Sequence, residues 1–222
     1  MNHDDQREDR FDERPREGLA LPAWEDRHRF GWLNGLYLTI KHVLLSPAEF
    51  FARMPTHVGL AQPLFFAVVV SLLASFFVWM WSLAGTSLQA LFEERVSEAM
   101  GAPLLYGLMF MLSPVITIGF VFVSAGLLHL GLMLFGANRL GFEATFRVVA
   151  YAQAAGILAV MPFCGSAIGS LYAIAITVVG LYRVHDTDPW RALFAVLLPL
   201  LLCLASCGGT LALGIGLGAL FR

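Results

Sequence analysis

The stretch Gly126–Tyr151, GLLHLGLMLFGANRLGFEATFRVVAY, decides how the rest of the chain is read. It begins as an apolar run holding one imidazole, His129, and that run ends at Gly136. Asn138, Arg139, Glu143 and Arg147 then mark a water-facing turn before the next apolar run. A membrane-length apolar segment feeding a short charged loop is the pattern of a polytopic membrane protein.

Composition agrees. The chain has 222 residues, of which 58% are hydrophobic and 14% charged, and its mean hydropathy is +0.73. These values lie in the membrane class. The formal charge of -2 conceals an asymmetry, because residues 1–29 are dense in both signs while residues 148–222 carry very few charges. No nucleic-acid partner is indicated. The opening MNHDDQREDRFDERPREG lacks the basic-then-apolar order of a cleavable secretory signal. Its polarity predicts a disordered tail over residues 1–31. Cys164, Cys203 and Cys207 lie in or beside apolar runs, without spacing suited to a metal or a disulfide framework.

Working outward, Leu33, Leu36, Tyr37, Ile40, Val43 and Leu44 recur at helical spacing, with Gly35, Thr39, His42 and Ser46 on another face. Together with Trp24, Trp32 and Lys41 they predict an interfacial helix. Ser46-Pro47-Ala48-Glu49 then reads as a capping box. It starts a short helix in which Phe50, Phe51 and Met54 form an apolar stripe, Glu49 pairs with Arg53, and Pro55 stops the chain. Pro47, Glu49, Phe50 and Phe51 are its candidate interfacial residues, and residues 32–55 form the interfacial region.

The spans follow from apolar length and charge position. Residues 63–84 are the first, with Trp79 and Trp81 near the far interface. Glu93, Glu94, Arg95 and Glu98 form an aqueous loop. The next 40 residues are uncharged, and Ser113-Pro114 could divide them. A single helix at roughly 112–136, preceded by an interfacial or tilted segment, returns Arg139 and Arg147 to the cytoplasm, as the positive-inside rule favours. Val148 to Tyr182 is uncharged and interrupted by Pro162-Phe163-Cys164-Gly165. It makes either two thin spans, 146–162 and 165–182, or a re-entrant hairpin. Residues 192–220 complete five spans. With the N-terminus inside, 12 of the 14 basic residues face the cytoplasm. The expected fold is therefore an all-α polytopic membrane bundle occupying residues 56–222, preceded by interfacial helices.

Candidate chemistry is sparse. No HExxH or GxSxG pattern occurs, and Glu93-Glu94-Arg95 reads as an exposed loop rather than a protease centre. No catalytic residue, cofactor or metal is expected. Arg139, Glu143, Arg147, Arg183, His185 and Arg191 are gathered by the topology at one membrane face, a candidate docking surface for a protein or for lipid headgroups. His129, Tyr151 and Gln153 form a candidate intramembrane polar site. Gly165-x-x-x-Gly169 and Gly214-x-x-x-Gly218 suit close helix packing, within the chain or in a homo-oligomer.

PAEFF after an amphipathic start, GANRLGFEATFRVVAYA, the Pro162–Gly165 turn and VVGLYRVHDTDPWRALFAVLLP together resemble the Yip family of five-span membrane proteins, over roughly residues 40–215. The resemblance implies a cytoplasmic N-terminus, five helices and no enzymatic activity. Eukaryotic members bind Rab-type GTPases in early secretory traffic, but their Asp-Leu-Tyr-Gly-Pro signature is absent here and that partner is not carried over. The chain is similar to a compact prokaryotic member in a bacterial cytoplasmic membrane. It would organise partners or lipids through its cytoplasmic face; the alternative is a small-molecule or ion transporter with a midplane site near His129.

Overall fold

The computed structural model describes residues 19–90, 101–199 and 201. The acidic loop at 93–98, Cys203, Cys207 and the glycine-rich end lie outside the described residues. Among the described residues every regular element is helical. In chain order they are α1 (Arg27–Phe30), α2 (Trp32–Leu45), α3 (Pro47–Arg53), α4 (Ala61–Ala90), α5 (Gly101–Leu134), α6 (Gly141–Ala152), a 3-10 helix (Gln153–Val160) and α7 (Gly165–Val184). A shorter apolar helix, α8, covers Pro189–Pro199. Among the described residues three segments are long and apolar enough to cross a membrane: Ala61–Leu88, Pro103–Leu134 and Gly165–Val184.

The helices α4 and α5 form an antiparallel pair. Trp79, late in α4, stacks on Phe110, early in α5, with centroids 5.9 Å apart and planes at 5°. The second helix begins earlier than the expected 112–136 and runs unbroken through Pro114. Proline at 114 cannot donate to the carbonyl of Phe110. The Ser113 hydroxyl donates to that same oxygen at 2.8 Å instead. The Ser-Pro pair thus repairs its own break, which matters where no water can serve the orphaned carbonyl.

At the centre lie α6 and the 3-10 helix. Nine consecutive α6 residues, Ala144–Ala152, are buried, so this helix is enclosed by protein on every side. The chain turns at 161–164, where Phe163 takes a left-handed φ of 66°, and α7 returns antiparallel. Three glycines fix that return. A Cβ on Gly165 would sit 2.1 Å from the Leu158 carbonyl oxygen, one on Gly169 would sit 2.8 Å from that of Ala155, and one on Gly180 would sit 2.5 Å from Val148 Cγ1. Gly165 and Gly169 therefore serve packing inside the chain. At about 1.5 Å per α residue and 2.0 Å per 3-10 residue, the 12 plus 8 residues of the ascending limb reach about 34 Å. The descending limb of 20 residues reaches about 30 Å.

The N-terminal region corrects an expectation. Residues 19–31, read as disordered, are folded from Leu19 onward in the described chain. Trp24 is only 1% exposed. Its ring packs against Trp32, Phe65 and Phe66, its backbone N–H donates to Thr39 Oγ1 at 2.9 Å, and its indole N–H donates to the Gln62 carbonyl at 3.0 Å. The average polarity of the first thirty residues hid this one large apolar anchor. Arg27 lies over the Trp24 and Trp32 rings at 4.4 and 4.0 Å. The small-residue face of α2 is the buried one, holding Gly35, Thr39 and Val43. Gly35 is required, because a Cβ would approach the Ala23 carbonyl oxygen to 2.7 Å. Trp32, Leu33, Tyr37 and Leu45 point outward instead. Pro47 occupies the first turn of α3 as expected, but Ser46 makes no side-chain cap, so the capping box does not form. Glu49 bonds Arg53 at 3.0 Å. Phe51 is buried and Phe50 packs on it and on Tyr151.

Candidate functional site

The first two turns of α6 carry the densest polar chemistry in the described protein. Arg147 is fully buried within an otherwise apolar run. It forms an ion pair with Glu25, whose side chain is 5% exposed, and its second guanidinium nitrogen donates to the Gly59 carbonyl at 2.9 Å. Tyr151, one turn later, donates its hydroxyl to the same Glu25 oxygen. Glu143, one turn earlier, accepts the Gly59 N–H at 2.6 Å. Residues 143, 147 and 151 share one helix face by their four-residue spacing. That face holds both ends of the N-terminal region, Glu25 before α2 and Gly59 after α3. Arginine stays charged in proteins, so its burial demands an anion, and Glu25 is that anion. Arg147 Nε has no hydrogen-bond partner, leaving this clamp one donor short of full satisfaction.

On another side of α6, Thr145 joins α5 to the end of α7. The Thr145 hydroxyl oxygen lies 3.0 Å from His185 Nε2 and 3.3 Å from His129 Nδ1. The backbone N–H groups of Arg139 and Leu140 both donate to His185 Nδ1 at 3.3 Å. His185 Nδ1 is therefore the acceptor, and Nε2 carries the proton that it gives to Thr145. Asn138 uses Oδ1 to accept the Gly141 N–H at 3.1 Å, which turns its NH2 toward His129 Nε2 at 3.4 Å. The arrangement works only with both rings neutral. Burial, helped by the neighbouring His129, lowers His185 to a pKa of about 4. Its role is to pin the 136–141 loop against the end of α7.

The expected docking residues thus divide. Arg147 and His185 are interior, a correction to the reading that placed them on an exposed face. Both needs are met by polar partners that the fold supplies from distant residues. Glu143 belongs to the clamp. Arg139, Arg183 and Arg191 remain exposed: Arg139 pairs with Asp186 at 3.6 Å, Arg191 pairs with Asp188 at 3.5 Å, and Arg183 lies over the Tyr182 ring at 5.2 Å. The three members of the expected intramembrane site separate as well. His129 goes to the Thr145 cluster and Tyr151 to Glu25, while Gln153 faces a cavity between the helices. Glu25 was missed altogether, since nothing local distinguishes it from the acidic residues around it. The usable signal was Arg147, a charge set between Phe146 and Val148 that had to find a carboxylate.

Long apolar helices with outward-facing side chains, around a buried polar centre, define a multi-pass α-helical integral membrane protein. The family model for the Yip1 domain matches residues 41–210, and the chain belongs to that family. No curated protein and no solved structure matches it.

Proposed function

We propose that this chain is a non-enzymatic organiser of protein partners or lipids at a bacterial cytoplasmic membrane. In this reading the N-terminal platform, residues 19–59, and the exposed arginines act together on the cytoplasmic side. The observation that carries it is the clamp. One face of α6 fixes both ends of the platform, and Thr145 on the same helix fixes the loop bearing Arg139. Platform and arginine loops therefore gather at one end of the bundle, with Trp32, Leu33 and Tyr37 turned outward. Basic side chains beside exposed aromatic and aliphatic ones suit an anionic lipid surface or a membrane-bound partner.

The test is copurification from native membranes after mild crosslinking, with protein and lipid identification. The variant Arg139→Ala/Arg191→Ala alters exposed residues only, so it should insert normally and lose the enriched partner or anionic lipid. Unchanged recovery from the variant would reject this surface.

Limb lengths of about 34 and 30 Å for residues 141–184 favour two full crossings over a re-entrant hairpin, giving five spans with the N-terminus inside. With Cys203 and Cys207 replaced by serine, the exposed Cys164 should react with a membrane-impermeant thiol reagent added from outside intact cells. Protection until the membrane is permeabilised would contradict this topology.

A further inference from the structure

Between α4, α5, the end of α6, the 3-10 helix, α7 and α8 lies a cavity of about 690 Å3. Its origin is visible in the residues that face it. Ala74 and Ser75 from α4, Gly156 from the 3-10 helix, and Gly169, Ser170 and Ala173 from α7 all end at or near Cβ. Small side chains on three facing helices leave space that their backbones do not close. The α7 residues that line it recur at 166, 169, 170, 173, 174 and 177, one continuous helical face. The limit to closure is the glycine contact itself, since Gly169 already brings α7 to the Ala155 carbonyl.

The lining chemistry narrows the occupant. Among the described lining residues none is charged, so an ionised ligand would have to leave water without a counter-charge. The walls are mostly apolar, and a cavity of that character stays dry and takes apolar guests. Ser170 and Thr177 already give their protons to carbonyls of α7, at 2.8 and 2.7 Å. Gln153 differs, because it brings a side-chain amide to the lining beside the hydroxyls of Tyr106, Ser75, Ser124 and Ser166. It offers donors and an acceptor to whatever enters. At roughly 30 Å3 per heavy atom with its share of space, the volume admits on the order of twenty heavy atoms.

We infer that this cavity is a binding site for an uncharged long-chain lipid, a single apolar chain ending in a hydroxyl or carbonyl group that hydrogen-bonds Gln153. The site lies between the helices and is independent of the surface organiser role above. It also explains why Gln153, unlike His129 and Tyr151, has no place in the two polar clusters of α6.

The experiment uses the full chain in lipid nanodiscs with a diazirine-bearing fatty alcohol as probe and the corresponding fatty acid as charged comparator, followed by mass spectrometry of labelled peptides. Alcohol labelling should concentrate on cavity-facing positions of α5, the 3-10 helix and α7, and unlabelled alcohol should compete it away. Ser124→Phe, which fills the space from α5, should cut this labelling about tenfold without changing thermal stability. Gln153→Leu should erase the preference for alcohol over a plain hydrocarbon probe. Should Ser124→Phe fail to fold, Gln153→Leu alone carries the decision. Labelling spread over outward-facing residues and indifferent to competition would overturn the inference. So would no cavity labelling at all, the result expected if the apolar residues following Leu201 occupy the space. Equal labelling by the fatty acid would refute the uncharged class.

Discussion

Replacing Glu25 by alanine leaves the Arg147 guanidinium buried without its anion and the Tyr151 hydroxyl without its acceptor. Breaking a buried pair from one side costs about 3–5 kcal/mol, whereas replacing both partners with apolar residues is often close to neutral. Glu25→Ala should therefore destabilise the folded protein by about that amount, and Glu25→Leu/Arg147→Met should recover most of it. Unfolding measured in mild detergent checks both, and a Glu25→Ala change below about 1 kcal/mol would contradict a paired, buried arginine. His185 supplies a second test at this scale. Its folded pKa of about 4 lies below the ordinary histidine value of 6.5, so between those values the unfolded chain binds a proton that the folded chain refuses. Stability accordingly falls as pH drops from 6.5 toward 4, by up to about 1.4 kcal/mol per pH unit, and levels off below. His129, Thr145, Arg139 and Asp186 surround the ring and are unchanged in the comparison. His185→Asn keeps an acceptor for the two loop N–H groups and removes the titration, so the variant should be less stable at neutral pH yet flatter with pH than the parent. Equal slopes in the two proteins would show that His185 does not titrate as its environment requires.

At the scale of elements, close approach is the recurring device. Gly180 on α7 meets both Val148 of α6 and the Phe51 ring of α3, at 2.5 and 3.1 Å from where a Cβ would stand. Gly180→Ala should cost about 1–3 kcal/mol by overpacking. Gly85→Ala on α4, which meets nothing within 4 Å, should be neutral or stabilising by up to about 1 kcal/mol. Thermal denaturation of the two single variants separates the effects, and equal shifts would remove the special role of Gly180. Much of this layer was legible in the residues. Apolar length and charge position marked α4 and α7, Pro47 opened α3, and Pro162–Gly165 formed the turn between the antiparallel limbs. Less was legible where one residue cancels another's signal. Ser113 repairs the break that Pro114 announces, so the helix begins some ten residues earlier than charge parity suggested. Hydrophobic period says which face avoids water, and it does not say which partner covers a small-residue face. The α2 face bearing Gly35 and Thr39 therefore read only as the side away from the apolar stripe, when it is the face the Trp24 segment covers.

For the whole molecule, the partnership between Glu25 and Arg147 joins residues 122 positions apart, a distance over which no local pattern carries information. Arg147 stood out as a loop cation, while Glu25 was one unremarked acid of a charged tail. Only the fold makes them a pair. Their union changes the protein from a bundle with a loose tail into a bundle with a docked N-terminal platform, which is the basis for proposing an organising surface at that end. Hydrogen–deuterium exchange of the full chain in nanodiscs tests this most directly. In the parent protein the amides through Trp24 and along α2 and α3 should be protected. Protection there should be lost in Glu25→Ala while α4, α5 and α7 remain protected. Rapid exchange across residues 19–59 in the parent would contradict it.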